Sequence, residues 1–215
     1  MKKILLSLGA AVLFIAGAQA QTGYGLKAGV NLGKFSNVAD DFKDYQKNNV
    51  SFYVTGFADL PVAPQFSIQP GISLQGKGNK YEGTEGDLDL SGSVSTNLMS
   101  IEIPVNAVYY IPAGTGNVFL GAGPYVGFNV SGQYKVDGTW GDVSGTGETD
   151  IEFGSGDGEM KRVEAGANFM AGYKMSNGFL INAGYGLGLT SLNNASDSDN
   201  KFSNRVLSFG IGFQF

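Results

Sequence analysis

The chain has 215 residues, a formal net charge of −5, no cysteine and no histidine. Those two absences exclude disulfides, thiolate and imidazole metal centres, and every nucleophile system that relies on a histidine base. Glycine occurs 34 times and charged residues make up only 15%, which favours closely packed strands over helices.

Lys2 and Lys3 precede an apolar run from Ile4 to Ala16 and the small-residue stretch Gly17, Ala18, Gln19, Ala20. This pattern predicts a signal peptide over residues 1–20, cleaved after Ala20, because the apolar core is too short to span a bilayer. No cysteine follows it to carry a lipid anchor. Residues 21–215 then form one domain, with no linker and no apolar run long enough for a membrane helix.

Period-two alternation recurs in about eight segments of the mature chain. The first, Tyr24 to Lys34, sets Leu26, Ala28, Val30 and Leu32 against Gly25, Lys27, Gly29 and Asn31. The second runs from Val50 to Leu60, with Phe52 and Val54 opposed to Tyr53, Thr55 and Asp59. Phe66 to Gly76 opposes Ile68, Ile72 and Leu74 to Gln69, Ser73 and Gln75. Leu98 to Ile111 is the clearest segment, opposing Ile101, Ile103, Val105 and Tyr109 to Ser100, Glu102 and Asn106. Val118 to Val130 and Val163 to Met175 follow, with Glu164 and Lys174 on the minor face of the latter. Phe179 to Leu189 and Arg205 to Phe215 complete the set, the last ending on an aromatic residue.

Connections alternate in length: short at Pro61–Pro64, Pro112–Asn117 and Ser176–Gly178, long at Phe35–Asn49, Lys77–Asn97, Ser131–Arg162 and Ser191–Asn204. Ten-residue alternating segments joined alternately by short and long connections predict an all-β, eight-stranded antiparallel transmembrane β-barrel, with both termini on the periplasmic side of a bacterial outer membrane.

A soluble antiparallel barrel would show the same alternation with its apolar face turned inward around a ligand. The acids favour the membrane: sixteen of nineteen fall in the long connections. The other three, Asp59, Glu102 and Glu164, share the glycine-rich minor face with Lys27 and Lys174. A face of Gly, Ser and Asn with a few charges suits a small filled interior, in which Lys27 and Lys174 are expected to pair with the three carboxylates. Tyr24, Phe66, Tyr109, Tyr173, Phe179, Phe213 and Phe215 lie on the apolar face near the short-turn ends, the place of an aromatic girdle against outer-membrane lipid.

The stretches Ser100-Ile-Glu-Ile-Pro-Val-Asn-Ala-Val-Tyr-Tyr-Ile111 and Leu120-Gly-Ala-Gly-Pro-Tyr-Val-Gly127, the piece Tyr185-Gly-Leu-Gly-Leu189 and the aromatic terminus resemble the PorT-like outer-membrane β-barrel proteins of the Bacteroidetes. The resemblance covers nearly the whole mature chain. It implies that Phe215 is the signal read by the barrel-assembly machinery. The secretion role for which the family is named does not transfer on this basis.

Several other patterns carry chemistry elsewhere. Glu102 and Glu164 could form a glycosidase-type acid and base, but a filled barrel offers no substrate cleft, and a charge network is the preferred reading. Gly86-Asp-Leu-Asp-Leu-Ser91 and Ser196-Asp-Ser-Asp-Asn200 hold oxygen ligands suited to calcium without completing a ligand loop, so they read as solvated, charge-repelling loops. Gly154-Ser-Gly-Asp-Gly158 lacks the strand-to-helix setting and lysine of a phosphate loop. Trp140, the only tryptophan, falls in the longest connection, where it reads as loop packing or a partner anchor. The acidic balance and the lack of a basic stripe argue against nucleic acid. The expected function is therefore structural or surface-interacting, without catalysis, cofactor or metal, and with an envelope or surface protein as candidate partner. A narrow pore, an accessory subunit of a secretion complex and a soluble ligand-binding barrel are the alternatives.

Overall fold

A computed structural model describes residues 22–85, 90–140, 143–156, 158–194 and 201–215. The expected signal peptide and most of both acidic loop runs, residues 86–89 and 195–200, lie outside the described residues. In chain order the strands are β1 (Gly23–Phe35), β2 (Gln46–Lys47), β3 (Asn49–Ala63), β4 (Phe66–Glu85), β5 (Leu90–Ala113), β6 (Gly116–Trp140), β7 (Val143–Asp150), β8 (Val163–Lys174), β9 (Phe179–Gly188) and β10 (Asn204–Gln214). One short helix, α1 (Asp40–Lys43), precedes β2.

Eight of these strands close into an antiparallel ring in the order β1-β3-β4-β5-β6-β8-β9-β10. Closure is made by β1, whose Lys27 stands opposite Thr55 of β3 on one side and Gly212 of β10 on the other. Within the ring every strand has two neighbours, so the barrel itself has no open edge.

The two faces are inverted relative to a water-soluble protein. Ile72 is 66% exposed while the next residue, Ser73, is 1% exposed, and the same contrast separates Ile103 and Phe128 from Glu102 and Asn129. An apolar exterior around a polar interior is the arrangement that hydrocarbon demands. At the short-turn end Tyr24, Tyr109, Phe213 and Phe215 are exposed, Phe66 is at 36%, and Tyr173 and Phe179 are half-buried.

β1, β8, β9 and β10 hold 13, 12, 10 and 11 residues, close to the roughly 9–11 that a tilted strand needs to cross hydrocarbon. β4, β5 and β6 hold 20, 24 and 25, far beyond that need. The sequence reading of Lys77–Asn97 and Ser131–Arg162 as loops is therefore corrected. Pairing runs unbroken from Lys77 opposite Leu98 to Glu85 opposite Leu90, and β5 continues against β6 as far as Trp140. Trp140 ends a strand opposite Leu90 and Val143, instead of lying in a loop. β7 adds a further strand outside β6, and β2 a short one outside β4. Outside the membrane no lipid-facing apolar row is required, so Gly, Ser, Asn and Thr carry these strands and the alternation disappears from view. The six paired residues from Lys80 to Glu85, which lie beyond the last contacts of β4 with β1 and β3, amount to about 20 Å of projecting sheet.

The opposite ends turn tightly. β3 gives way to β4 through Gln65 at φ 64°, β5 to β6 through Gly114 at φ 62°, and β8 to β9 through Gly178 at φ 90°. At Gly178 a side chain would also crowd the carbonyl of Gln214, so both the left-handed backbone and the close approach require glycine.

Candidate functional site

Buried side chains from the minor face of the strands, Asn31, Thr55, Ser73, Ser100 and Asn129 among them, point into the lumen. Nearest the short turns, Asp59 of β3 accepts hydrogen bonds from Gln69 Nε2 at 3.0 Å, Tyr110 Oη at 3.2 Å and Gln214 Nε2 at 3.0 Å. Lys174 Nζ donates to Gln214 Oε1 at 3.1 Å and sits 4.6 Å from the centre of the Tyr110 ring. Lys174 therefore reaches Asp59 through an intervening amide, without a direct ion pair among the described contacts.

Above that network lies an apolar plug of Phe57, Val108, Phe119 and Leu180, with Tyr110 and Met170 packed against it. Lys27 is held here by Met170 Sδ at 3.6 Å and by the face of Phe57, 4.6 Å from the ring centre. Lys27 and Lys174 thus make cation–π, thioether and amide contacts near Asp59, and no direct ion pair of either with a carboxylate is among the described contacts.

Glycines make room for those aromatics. Phe57 stands directly opposite Gly25, Phe119 opposite Gly172 and Tyr125 opposite Gly166. In each pair the ring lies where the glycine's Cβ would be, too close for any side chain to stand there. An aromatic laid across a cross-strand glycine fills the interior and covers exposed backbone at once.

The lumen also holds an ion-pair triad, of which sequence reading named the two carboxylates, Glu102 and Glu164, but not the cation. Lys77 of β4 bonds both Glu102 of β5 and Glu164 of β8, with side-chain exposures of 3%, 4% and 1%. Asn204 Nδ2 donates to Glu164 Oε2 at 2.7 Å, and the Lys77 ammonium lies 4.8 Å from the centre of the Tyr125 ring. One cation between two carboxylates leaves a formal charge of −1, which hydrogen bonds must offset in a low-dielectric interior. The signal for Lys77 was its parity, since it continues the inward series Ser73, Gln75. A cavity of about 80 Å³ adjoins the triad, lined by polar side chains such as Thr55, Ser73, Asn106 and Asn168 and by apolar ones such as Met170 and Val206, and has room for a few waters.

The mouth at the long-loop end is capped. Leu98, Ile151, Met160 and Leu192 form a second buried cluster, joined by Phe35, Phe153 and Phe202. Backbone bonds from Ile151 to Gly132 (2.9 Å) and from Leu192 to Phe202 (2.8 Å) bring Ile151 and Leu192 to the opening. In the glycine-rich stretch, Gly156 N donates to Glu159 Oε2 at 2.6 Å, so this amide is taken by a carboxylate and not open to a phosphate.

The projecting sheet above the mouth is asymmetric. On the β4 side, β2 pairs with Lys80 and Tyr81, Glu82 N donates to Tyr45 O at 2.9 Å, and Phe42 meets Tyr81 edge-on at 6.3 Å. On the other side β7 pairs with β6 alone, and residues 144–150 are all exposed. Lys80 bonds Glu82 on this sheet, and that hydrogen bond, reinforced by the ammonium charge, holds the Glu82 carboxyl below the usual glutamate range.

Among the described residues no cluster of acidic side chains has the spacing to hold a metal. Residues 18–194 match the family described as outer membrane protein beta-barrel domain. Among solved structures the chain is similar to Ail of Yersinia pestis, at 14% identity over 91% of this chain and 100% of that one, with a TM-score of 0.42. Neisserial surface protein A shares 13% identity over 89% and 97%, with a TM-score of 0.44. The N-terminal β-barrel domain of Pseudomonas aeruginosa OprF shares 13% over 92% and 100%, with a TM-score of 0.35. No curated protein matches the chain.

Proposed function

The chain belongs to the outer membrane protein beta-barrel domain family, and from that premise we propose that it is a sealed, non-catalytic barrel that serves as a rigid mount for an extracellular strand extension. The observation that supports this reading is the lumen: the Phe57–Val108–Phe119–Leu180 plug, the buried Lys77 triad and the Leu98–Ile151–Met160–Leu192 cluster lie one above another, as a barrel closed to solute requires. An eight-stranded ring leaves an interior that side chains can fill. The function then falls to the surface presented to the medium, chiefly β4 to β7 beyond the ring.

The signal peptide over residues 1–20, cleavage after Ala20 and recognition of Phe215 by the assembly machinery complete this proposal. Outer-membrane lipid contacts the exposed apolar band, with Tyr24, Phe66, Tyr109, Tyr173, Phe179 and Phe213 at its inner border. The Ser100–Ile111 and Leu120–Gly127 stretches support a place among the PorT-like members. Purified protein reconstituted in planar bilayers is expected to give no steady current. Reproducible single-channel currents from the wild-type chain would overturn the sealed reading.

A further inference from the structure

The projecting sheet ends in a strand that nothing described covers, and the geometry points to the outer edge of β7 as the docking site for an extended polypeptide segment carrying basic side chains on one face and apolar ones on the other. The inference rests on the proposed surface role and names its partner class. An uncovered edge presents a row of unpaired N–H and C=O groups, and proteins ordinarily protect such rows with lysine, proline, bulges or covering segments. The β4 edge is protected in that way by β2 and Tyr45. β7, reading Val-Ser-Gly-Thr-Gly-Glu-Thr-Asp, has no lysine and no proline, and its eight residues pair with β6 without a register shift.

The faces of β7 decide what fits. On one face Thr146, Glu148 and Asp150 align with Asp137, Lys135 and Gln133 of β6. Three carboxylates and one ammonium leave this face with a net charge of −2, Lys135 being shared between Asp137 at 3.9 Å and Glu148 at 3.6 Å. On the other face Gly145 and Gly147 have nothing within 4 Å of where a Cβ would stand, and Gly147 lies opposite Val136, 49% exposed. An added strand can therefore lay its apolar side chains across the glycines toward Val136 and set its basic ones against Glu148 and Asp150. A second copy of this edge would bring acid against acid, which disfavours self-pairing. Main-chain bonds would supply the attachment and the two faces the selectivity.

The test uses the full-length folded protein in detergent and two fluorescent eight-residue peptides, one alternating lysine with valine and one alternating glutamate with valine. Binding is read by anisotropy and by amide hydrogen exchange over residues 143–150. The lysine–valine peptide is expected to bind and to slow exchange in β7, and the glutamate–valine peptide to bind at least tenfold more weakly. Glu148→Lys with Asp150→Lys should weaken the lysine–valine peptide at least tenfold. Successive N–H groups alternate in direction, so one of Thr146→Pro and Gly147→Pro removes only an outward donor, and that variant should lose binding while β6 stays protected. Equal binding of both peptides, no change of exchange in β7, or concentration-dependent self-association that the same proline abolishes would overturn the inference. The heat-shifted gel mobility of each sample reports the barrel separately, so loss of the barrel reading and loss of the edge reading are distinguishable.

Discussion

Lys77 and Glu164, 87 residues apart in sequence and on strands with two others between them in the ring, meet inside the barrel, where Glu102 joins the same ammonium. The triad ties β4, β5 and β8 together across the lumen. Lys77→Met leaves two buried carboxylates without their cation and is expected to destabilise the barrel by about 3–5 kcal/mol. The loss should appear as a lower urea midpoint for heat-shifted gel mobility. Adding Glu102→Gln and Glu164→Gln to that variant should recover most of it. An unchanged midpoint for Lys77→Met would show that the triad adds nothing to stability.

The plug predicts a gain of function. Phe57→Ala with Phe119→Ala removes the two largest members of the apolar layer, and planar bilayer recordings are expected to show currents that the parent protein lacks. Each truncation should also lower stability by about 3–5 kcal/mol, the usual cost of emptying an aromatic site. Stable variant protein that remains silent would place the seal at the triad or the cap.

The pairing of inward aromatics with glycines predicts position-specific intolerance. Gly172→Val would drive a side chain into the ring of Phe119, an overpacking expected to cost about 1–3 kcal/mol. Gly145→Val on β7 meets open space and should change stability by no more than about 0.5 kcal/mol. Urea midpoints of the two variants measured side by side check the contrast.

Glu82 gives a pH signature outside the membrane. Its folded-state carboxyl is lowered by the Lys80 hydrogen bond and charge, so this contact supports the extension above the ordinary glutamate range and is lost as pH falls through the lowered value. A carbon-13 NMR titration should place the Glu82 midpoint below that of glutamate in an unfolded peptide, and Lys80→Met should raise it toward that reference.

Sequence alone was enough to trace the membrane-crossing part of the fold, because hydrocarbon on one side and a narrow lumen on the other force strict alternation from Tyr24 to Phe215. It lost β4, β5 and β6 where they leave the lipid, since in the stretch Lys77-Gly-Asn-Lys80 the ladder needs no apolar row. The same blind spot hid Lys77 and moved the expected ammonium partners to Lys27 and Lys174. Ile151, Met160 and Leu192 were legible only as isolated apolar residues in polar connections. Their burial depends on two segments folding over one mouth, a long-range meeting that local pattern does not encode.

The central claim is a barrel that crosses the outer membrane with β7 outside and the short turns inside. The chain has no cysteine, so single replacements report cleanly. Thr146→Cys in β7 and Asn177→Cys in the turn between β8 and β9, each expressed in cells and exposed to a membrane-impermeant maleimide, measure both sides at once. The account predicts labelling at position 146 in intact cells, and at position 177 only after the outer membrane is permeabilised. Labelling of position 177 alone in intact cells would reverse the orientation, and recovery of both variants in the soluble periplasmic extract would contradict a membrane-spanning barrel altogether.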